Sequence, residues 1–307
     1  MKIVVTGTTG FVGKCLLPKL KDAGFEVLPI SSKRLAEGDL SELNGELSWS
    51  SEKIYAILHL GGRAHVIHEK DSDPAAAFRR ANVDTTKILA EAAVRNGIPR
   101  FVYVSSIKAL GESSNEEPLT AEDLPKPKDD YGRTKWEAEE LLKEISRSSS
   151  LKFTILRPPL IVGKGAKGNL DRLVSLVRTG IPLPFSGIRN KRSMVGVRNF
   201  CDAIVFTLKN SKTENGLFLV SDFSLSTPEL FRLFSESLGI PSRLFYFPPS
   251  WMIFAGRLFG FRGIVDRLFG SLVLDATPLL SLGWNPAVPI SEEIRALCSE
   301  TPQERIS

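Results

Sequence analysis

The chain has 307 residues, 42% hydrophobic and 24% charged, with a formal net charge of +5. That balance is ordinary for a soluble globular protein and excludes disordered and fibrous classes. Its cations are scattered, with no block of like charge. This argues against a nucleic-acid binder, and a mild positive field suits a substrate that carries phosphates. Cys15, Cys201 and Cys298 are odd in number, with no CxxC spacing. No disulfide framework or zinc site is expected, and a reducing, cytoplasmic setting is. The N-terminus lacks the charged head, apolar stretch and cleavage site of a signal peptide.

In chain order, Lys2–Thr6, Glu26–Ile30, Ala56–Leu60, Arg100–Val104 and Phe153–Leu156 are short β-branched or aromatic runs. Such runs read as buried parallel strands. Phe11–Ala23, Pro74–Asn96 and Tyr131–Ser148 carry apolar residues at helical spacing, although Pro18 interrupts the first. Strands alternating with helices predict an α/β fold built on a doubly wound parallel sheet. Past Arg157, prolines and glycines become frequent and the elements short. Residues 1–165 are expected to bind a dinucleotide, with 190–222 returning to that domain. Residues 166–307 should form mainly a smaller α/β substrate lobe. The apolar stretch Leu244–Leu274 is broken by Arg257, Arg262, Asp266 and Arg267, so no uninterrupted run in it is long enough to span a bilayer. It reads as a core or subunit-contact helix pair. The alternative is peripheral membrane contact through a basic amphipathic face.

The first strand runs into Gly7-Thr-Thr-Gly10-Phe-Val-Gly13 and then a helix. Glycines there allow a tight turn and close approach of a pyrophosphate to the helix N-terminus, as in Rossmann-type folds. An NAD-binding second strand should end in an acid that holds the adenosine ribose. Here Ser31 is followed by Ser32, Lys33 and Arg34. Ser31, Lys33 and Arg34 could instead hold a 2′-phosphate, which favours NADP over NAD. Asp39 sits where a carboxylate could reach the adenine amine.

Tyr131-Gly-Arg-Thr-Lys135 places Tyr and Lys one helical turn apart. The ammonium is expected to lower the phenol pKa and make Tyr131 a usable acid/base. Ser105-Ser106 closes the strand Arg100–Val104, where a hydroxyl can bind the oxygen that Tyr131 protonates. His59, His65 and His68 have no carboxylate set to complete a metal site.

These motifs resemble the extended short-chain dehydrogenase/reductase family of nucleotide-sugar epimerases, dehydratases and 4-reductases. The resemblance spans TGTTGFVG (6–13), HLGG (59–62), Asn82-Val83, VSSIKALGE (104–112), YGRTK (131–135), RPPLIVG (157–163) and Leu282-Gly-Trp-Asn-Pro286. It implies Ser106 as the catalytic serine beside Tyr131 and Lys135. It further implies that Thr9, Phe11, Val12, Leu40, Leu60, Gly61, Gly62, Asn82, Pro158 and Pro159 line the cofactor. Lys108, Asn169, Leu170, Phe185 and Arg192 would meet a UDP-sugar, and members commonly form homodimers. Within the family the chain looks most similar to enzymes acting at sugar C4. Lys108, Gly196 and Asn199 depart from the epimerase pattern and favour reduction of a UDP-4-keto-6-deoxy-hexosamine, with 4-epimerisation as the alternative. A non-catalytic NADP sensor and a non-sugar ketone reductase are the remaining readings.

Overall fold

The structure is a computed structural model and describes residues 1–39, 53–63, 73–166 and 168–299. Leu40, His65 and His68 lie outside the described residues. Two sheets organise the chain. The larger comprises β1 (Lys2–Thr6), β2 (Glu26–Ile30), β3 (Ile54–His59), β4 (Arg100–Val104), β5 (Lys152–Arg157) and β8 (Gly216–Leu219). Its strands are all parallel, in the order β2-β1-β3-β4-β5-β8. The smaller comprises β6 (Leu160–Val162), β7 (Arg192–Gly196) and β9 (Phe223–Leu225), with β9 antiparallel to β7. In the larger sheet the chain order reverses between β1 and β3, and ligands of such sheets bind outside the strand C-termini at that point.

Helices cover both faces of the larger sheet, as its near-continuous apolar strands require. On one face, α1 (Phe11–Asp22) contributes Leu16 and Leu20, which pack with Ile3, Val5 and Leu58. On the other, α2 (Ser32–Ala36) supplies Leu35. A helix is predicted over 74–96, and the structure divides it. It comprises α3 (Pro74–Arg79), a π turn at Arg80–Asp84 and α4 (Thr85–Arg95). Such turns gather at functional sites, and this one presents the buried Asn82. Packed beside α4 is α5 (Asp130–Arg147), whose Ala138 and Leu142 enter the same core.

The second lobe starts with α6 (Asn169–Arg178). Next, α7 (Val197–Lys209) returns to the first sheet and packs on α1, whereas β7 just before it stays in the small sheet. Val174 of α6 packs with Phe231 and Phe234 of α8 (Thr227–Ser237).

Sequence reads α9 (Pro249–Leu258) and α10 (Arg262–Phe269) as a core or subunit-contact pair, and the core half of that reading needs correction for α9. No residue of α9 is buried, so it is not core. The two helices pack chiefly on each other, and Gly256 lets Val265 approach where a methyl would overlap it. With so little to pack against, Trp251, Phe254, Leu258 and Ile264 stay exposed. No helix among the described residues is long and apolar enough to cross a membrane.

The chain closes with α11 (Thr277–Ser281) and α12 (Ile290–Cys298). Between them, Trp284 of the C-terminal motif is buried in the core under α1 and α7.

Candidate active site

Gly7 ends β1 with φ +74°, a conformation open chiefly to glycine. A side chain there would also press on the Gly61 amide, 2.9 Å from the Cβ position. Gly10 caps α1 without a side chain, its amide donating to the Gly7 carbonyl at 3.1 Å. A methyl on Gly13 would overlap the Gly7 carbonyl, so the first turn of α1 lies directly on the loop. The helix thus presents bare backbone N–H groups at the switch point, with no acid in its first turn. That cradle fits the pyrophosphate of a dinucleotide. Thr9, Phe11 and Val12 belong to the same loop and helix start.

Next to it, Thr6 binds the ends of β1 and β3 together. Its hydroxyl shares a 2.6 Å hydrogen bond with His59 Nδ1 and accepts from the Gly61 amide at 3.1 Å. Burial drives the His59 pKa down to about 3, with the Lys135 charge adding to it, so the imidazole is neutral. Asn82 holds the following residues: its Oδ1 accepts from the Arg63 amide at 2.9 Å, and its Nδ2 donates to Thr134 Oγ1 at 3.0 Å. Gly62 lies close to Lys135, whose Nζ is 3.2 Å from the Gly62 Cβ position. Leu60, Gly61, Gly62 and Asn82 are therefore gathered between the glycine loop and α5.

At the end of β2, the Ser31 hydroxyl caps α2 and accepts from the Arg34 amide at 3.3 Å. Arg34 Nε pairs with Asp39 Oδ2 at 2.8 Å, and Lys33 Nζ lies 3.9 Å from Glu37. Asp39 is thus tied to Arg34. Both cations are solvent-exposed at this edge.

The reactive residues converge at the end of β4. Ser105 is buried, its amide donating to the Leu156 carbonyl. Ser106 caps the short turn Ile107–Ala109, and its hydroxyl acts on the Tyr131 phenol, drawing the phenol pKa down. Asp129 caps α5 by accepting from the Gly132 amide at 2.7 Å. A side chain on Gly132 would overlap the Lys108 carbonyl, so this helix start seats tightly against the Ser106 turn. Pro158, buried after β5, accepts from the Ile107 amide, and Pro159 beside it is buried as well. Lys135 is 3% exposed; its Nζ donates to the Val104 carbonyl at 2.9 Å and lies 4.6 Å from the Tyr103 ring centroid.

The phenol pKa runs opposite to the expectation. Burial pushes Tyr131 up to about 12, the Ser106 hydroxyl opposes that rise, and the Asp129 carboxylate adds to it. Burial also brings Lys135 down to about 8, against the pull of Glu139. Taking a phenolate out of water costs more here than the neighbouring groups return. Tyr131 is consequently a proton donor at neutral pH.

Residues proposed for the sugar nucleotide lie on both lobes. Lys108 Nζ is held between Asp129 at 2.5 Å and Glu112 at 3.1 Å. Burial opposes its charge, but those carboxylates raise its pKa above the ordinary value. Arg192, at the start of β7, donates from Nη1 to the Gly270 carbonyl at 3.0 Å. Burial lowers its pKa, and Glu112 acts on it in the opposite sense. Glu112 thus links the Lys108 and Arg192 sides of the cleft. Asn169 opens α6, and Leu170 is buried in the second-lobe core. Phe185 is partly buried and packs edge-on against Phe231 of that core at 5.1 Å.

Two features escaped sequence reasoning. Residues 270–275 run between the 112–120 loop and β7, bridging Leu119 to Leu274 and Arg192 to Leu272. No hydrophobic period marks so short a segment. Asn199, at a position read as a departure from epimerases, is a buried structural hub. Its side chain donates to Asp222 at 2.6 Å and to the Val288 carbonyl at 2.8 Å.

Comparison with known proteins agrees with this arrangement. A UDP-glucose 4-epimerase of Vibrio cholerae is 36% identical over 303 residues, covering 94% of this chain and 92% of that protein. The structure of RMD from Pseudomonas aeruginosa complexed with NADPH superposes with a TM-score of 0.76 at 21% identity, covering 97% and 99% of the two chains. UDP-glucose 4-epimerase from Thermotoga maritima with UDP-glucose gives 0.74 at 21% identity, covering 100% and 98%. Residues 3–220 match the NAD dependent epimerase/dehydratase family. On that match and on the near full-length likeness to the Vibrio enzyme, the chain belongs to the NAD-dependent epimerase/dehydratase family.

Proposed function

We propose that the protein is an NAD(P)-dependent oxidoreductase acting at C4 of a nucleotide-diphosphate sugar, in the direction of reducing a UDP-4-keto-6-deoxy-hexosamine. The observation that carries this reading is the convergence of Ser106, Tyr131 and Lys135 beside the glycine loop, with Tyr131 protonated at neutral pH. A bound nicotinamide supplies the hydride. Tyr131 gives its proton to the sugar oxygen, the Ser106 hydroxyl orients that oxygen, and Lys135 supplies positive charge beneath the site. Lys108 and Arg192 would take the polar and phosphate groups of the substrate. A second reading, 4-epimerisation through the same groups, is favoured by the likeness to the Vibrio cholerae enzyme.

The test supplies the purified protein with a UDP-4-keto-6-deoxy-N-acetylhexosamine and NADPH, or with UDP-glucose alone. Stoichiometric loss of reduced nicotinamide with the keto sugar supports the reductase. UDP-galactose formed from UDP-glucose without added cofactor overturns it in favour of the epimerase.

Cofactor choice follows from the end of β2. With Ser31, Lys33 and Arg34 there and no acid at the strand end, NADPH is expected to bind more tightly than NADH. Replacing Lys33 and Arg34 by Ala should weaken NADPH roughly tenfold to a hundredfold, as expected from losing one or two charge-assisted bonds. NADH affinity should change little. Equal weakening of both, measured by fluorescence titration, would remove the 2′-phosphate from the explanation.

A further inference from the structure

We propose that the α9–α10 hairpin is a docking element that inserts its apex into the surface of a bilayer containing anionic lipid. Nine of the fifteen large apolar side chains exposed among the described residues fall within 245–264. This is therefore a patch rather than the usual scatter of single residues. Trp251, Phe254 and Leu258 stand at helical spacing along α9, and all three are exposed. At the apex, Leu258, Phe259 and Phe261 are 67%, 70% and 56% exposed around Gly260, whose φ is +80°. Ile264 continues the apolar surface onto α10, and Phe245, Tyr246 and Phe247 extend it along the chain entering α9.

Charge and exposure select the occupant. Residues 241–269 contain four arginines (Arg243, Arg257, Arg262 and Arg267) and a single acid, Asp266. Arg257 and Arg267 are exposed, and Arg257 directly precedes Leu258. Aromatic and aliphatic tips flanked by arginine match the interfacial zone of a membrane with anionic headgroups. The two helices pack chiefly on each other, and the exposed apex Leu258–Phe261 carries no acid that would oppose an anionic headgroup. Docking would bear on the cleft: α10 leads directly into Gly270, whose carbonyl accepts from Arg192 at 3.0 Å and from Asn190 at 3.2 Å.

Co-sedimentation of the intact protein with vesicles tests the proposal. The protein should pellet with vesicles of phosphatidylglycerol and phosphatidylethanolamine, less with phosphatidylcholine alone, and be released by raised salt. The triple variant Phe254→Glu, Leu258→Glu, Phe259→Glu should lower the partition coefficient at least about tenfold, as expected from withdrawing even one ring from an apolar medium. All three side chains are exposed, so the fold should be retained. Leu124→Glu, an equally drastic change at an exposed site elsewhere in the chain, should leave binding as it was. Three results would overturn the proposal: no pelleting with either vesicle near physiological salt, binding unchanged in the triple variant, or a wild-type dimer that the triple variant dissociates while vesicles are ignored. The last would assign the hairpin to a second copy of the chain.

Discussion

Replacing Tyr131 with Phe is expected to cut turnover by about a hundredfold to ten-thousandfold, the range attributed to a positioned proton donor. The fold should survive, since Tyr131 is half-buried and its ring contact with Phe78, centroids 6.5 Å apart, asks nothing of the hydroxyl. What is lost is the proton, held on the oxygen by a pKa of about 12. Lys135 sets the pH dependence. Its pKa near 8 means that it is charged below that pH and loses the charge above it. In the reductive direction both groups must be protonated. The profile of kcat/KM against pH should therefore be flat through neutrality and fall above about pH 8, well before Tyr131 itself titrates. Steady-state kinetics with far-ultraviolet circular dichroism as a folding control decide the matter. Unaltered turnover in the Phe variant would remove Tyr131 from the chemistry.

How much of this is legible in the sequence depends on the range of the interaction. Runs such as KIVVT and RFVYV are local patterns, and β1 and β4 begin and end where those runs do. The glycine loop and the Tyr131–Lys135 spacing are also local, so both were legible. The π turn at Arg80–Asp84 was not, because its sequence carries the same helical spacing as its flanks. It becomes intelligible only through Asn82, which must reach both the Arg63 amide and Thr134. The Tyr131 pKa failed for a related reason. Helical spacing brings a lysine near, but burial by residues distant in sequence outweighs it. Phe185 reads as a base-covering plate or as core, and its edge-on contact with Phe231 is set by a residue distant in sequence. Residues 270–275 owe their place entirely to partners at 112–120 and in β7. Local periodicity thus reveals the elements, whereas the partners of polar side chains are decided by topology.

Breaking the Glu139–Arg157 pair should have the largest effect on stability and should also separate stability from chemistry. Glu139 is 0% exposed and Arg157 2%, and they meet through two bonds, Nε to Oε1 at 3.0 Å and Nη2 to Oε2 at 2.6 Å. Arg157 Nη1 is buried without a partner, so the pair already carries an uncompensated donor. Glu139→Gln removes the charge that answers the guanidinium. The expected loss is about 3–5 kcal/mol, since an unpaired buried charge remains. Converting Glu139 to Met together with Arg157 to Leu removes both charges and should recover most of that stability. It should not recover the pH profile. Glu139 lies one helical turn beyond Lys135 and raises its pKa. Without that carboxylate the Lys135 pKa drops further, and the basic limb of kcat/KM moves to lower pH in the single and double variants alike. Urea denaturation reads the first effect and the kinetic profile the second. If the double variant regains stability yet keeps the wild-type basic limb, Glu139 has no part in holding the charge on Lys135. If the single variant is as stable as the wild type, the pair does not anchor α5 to β5.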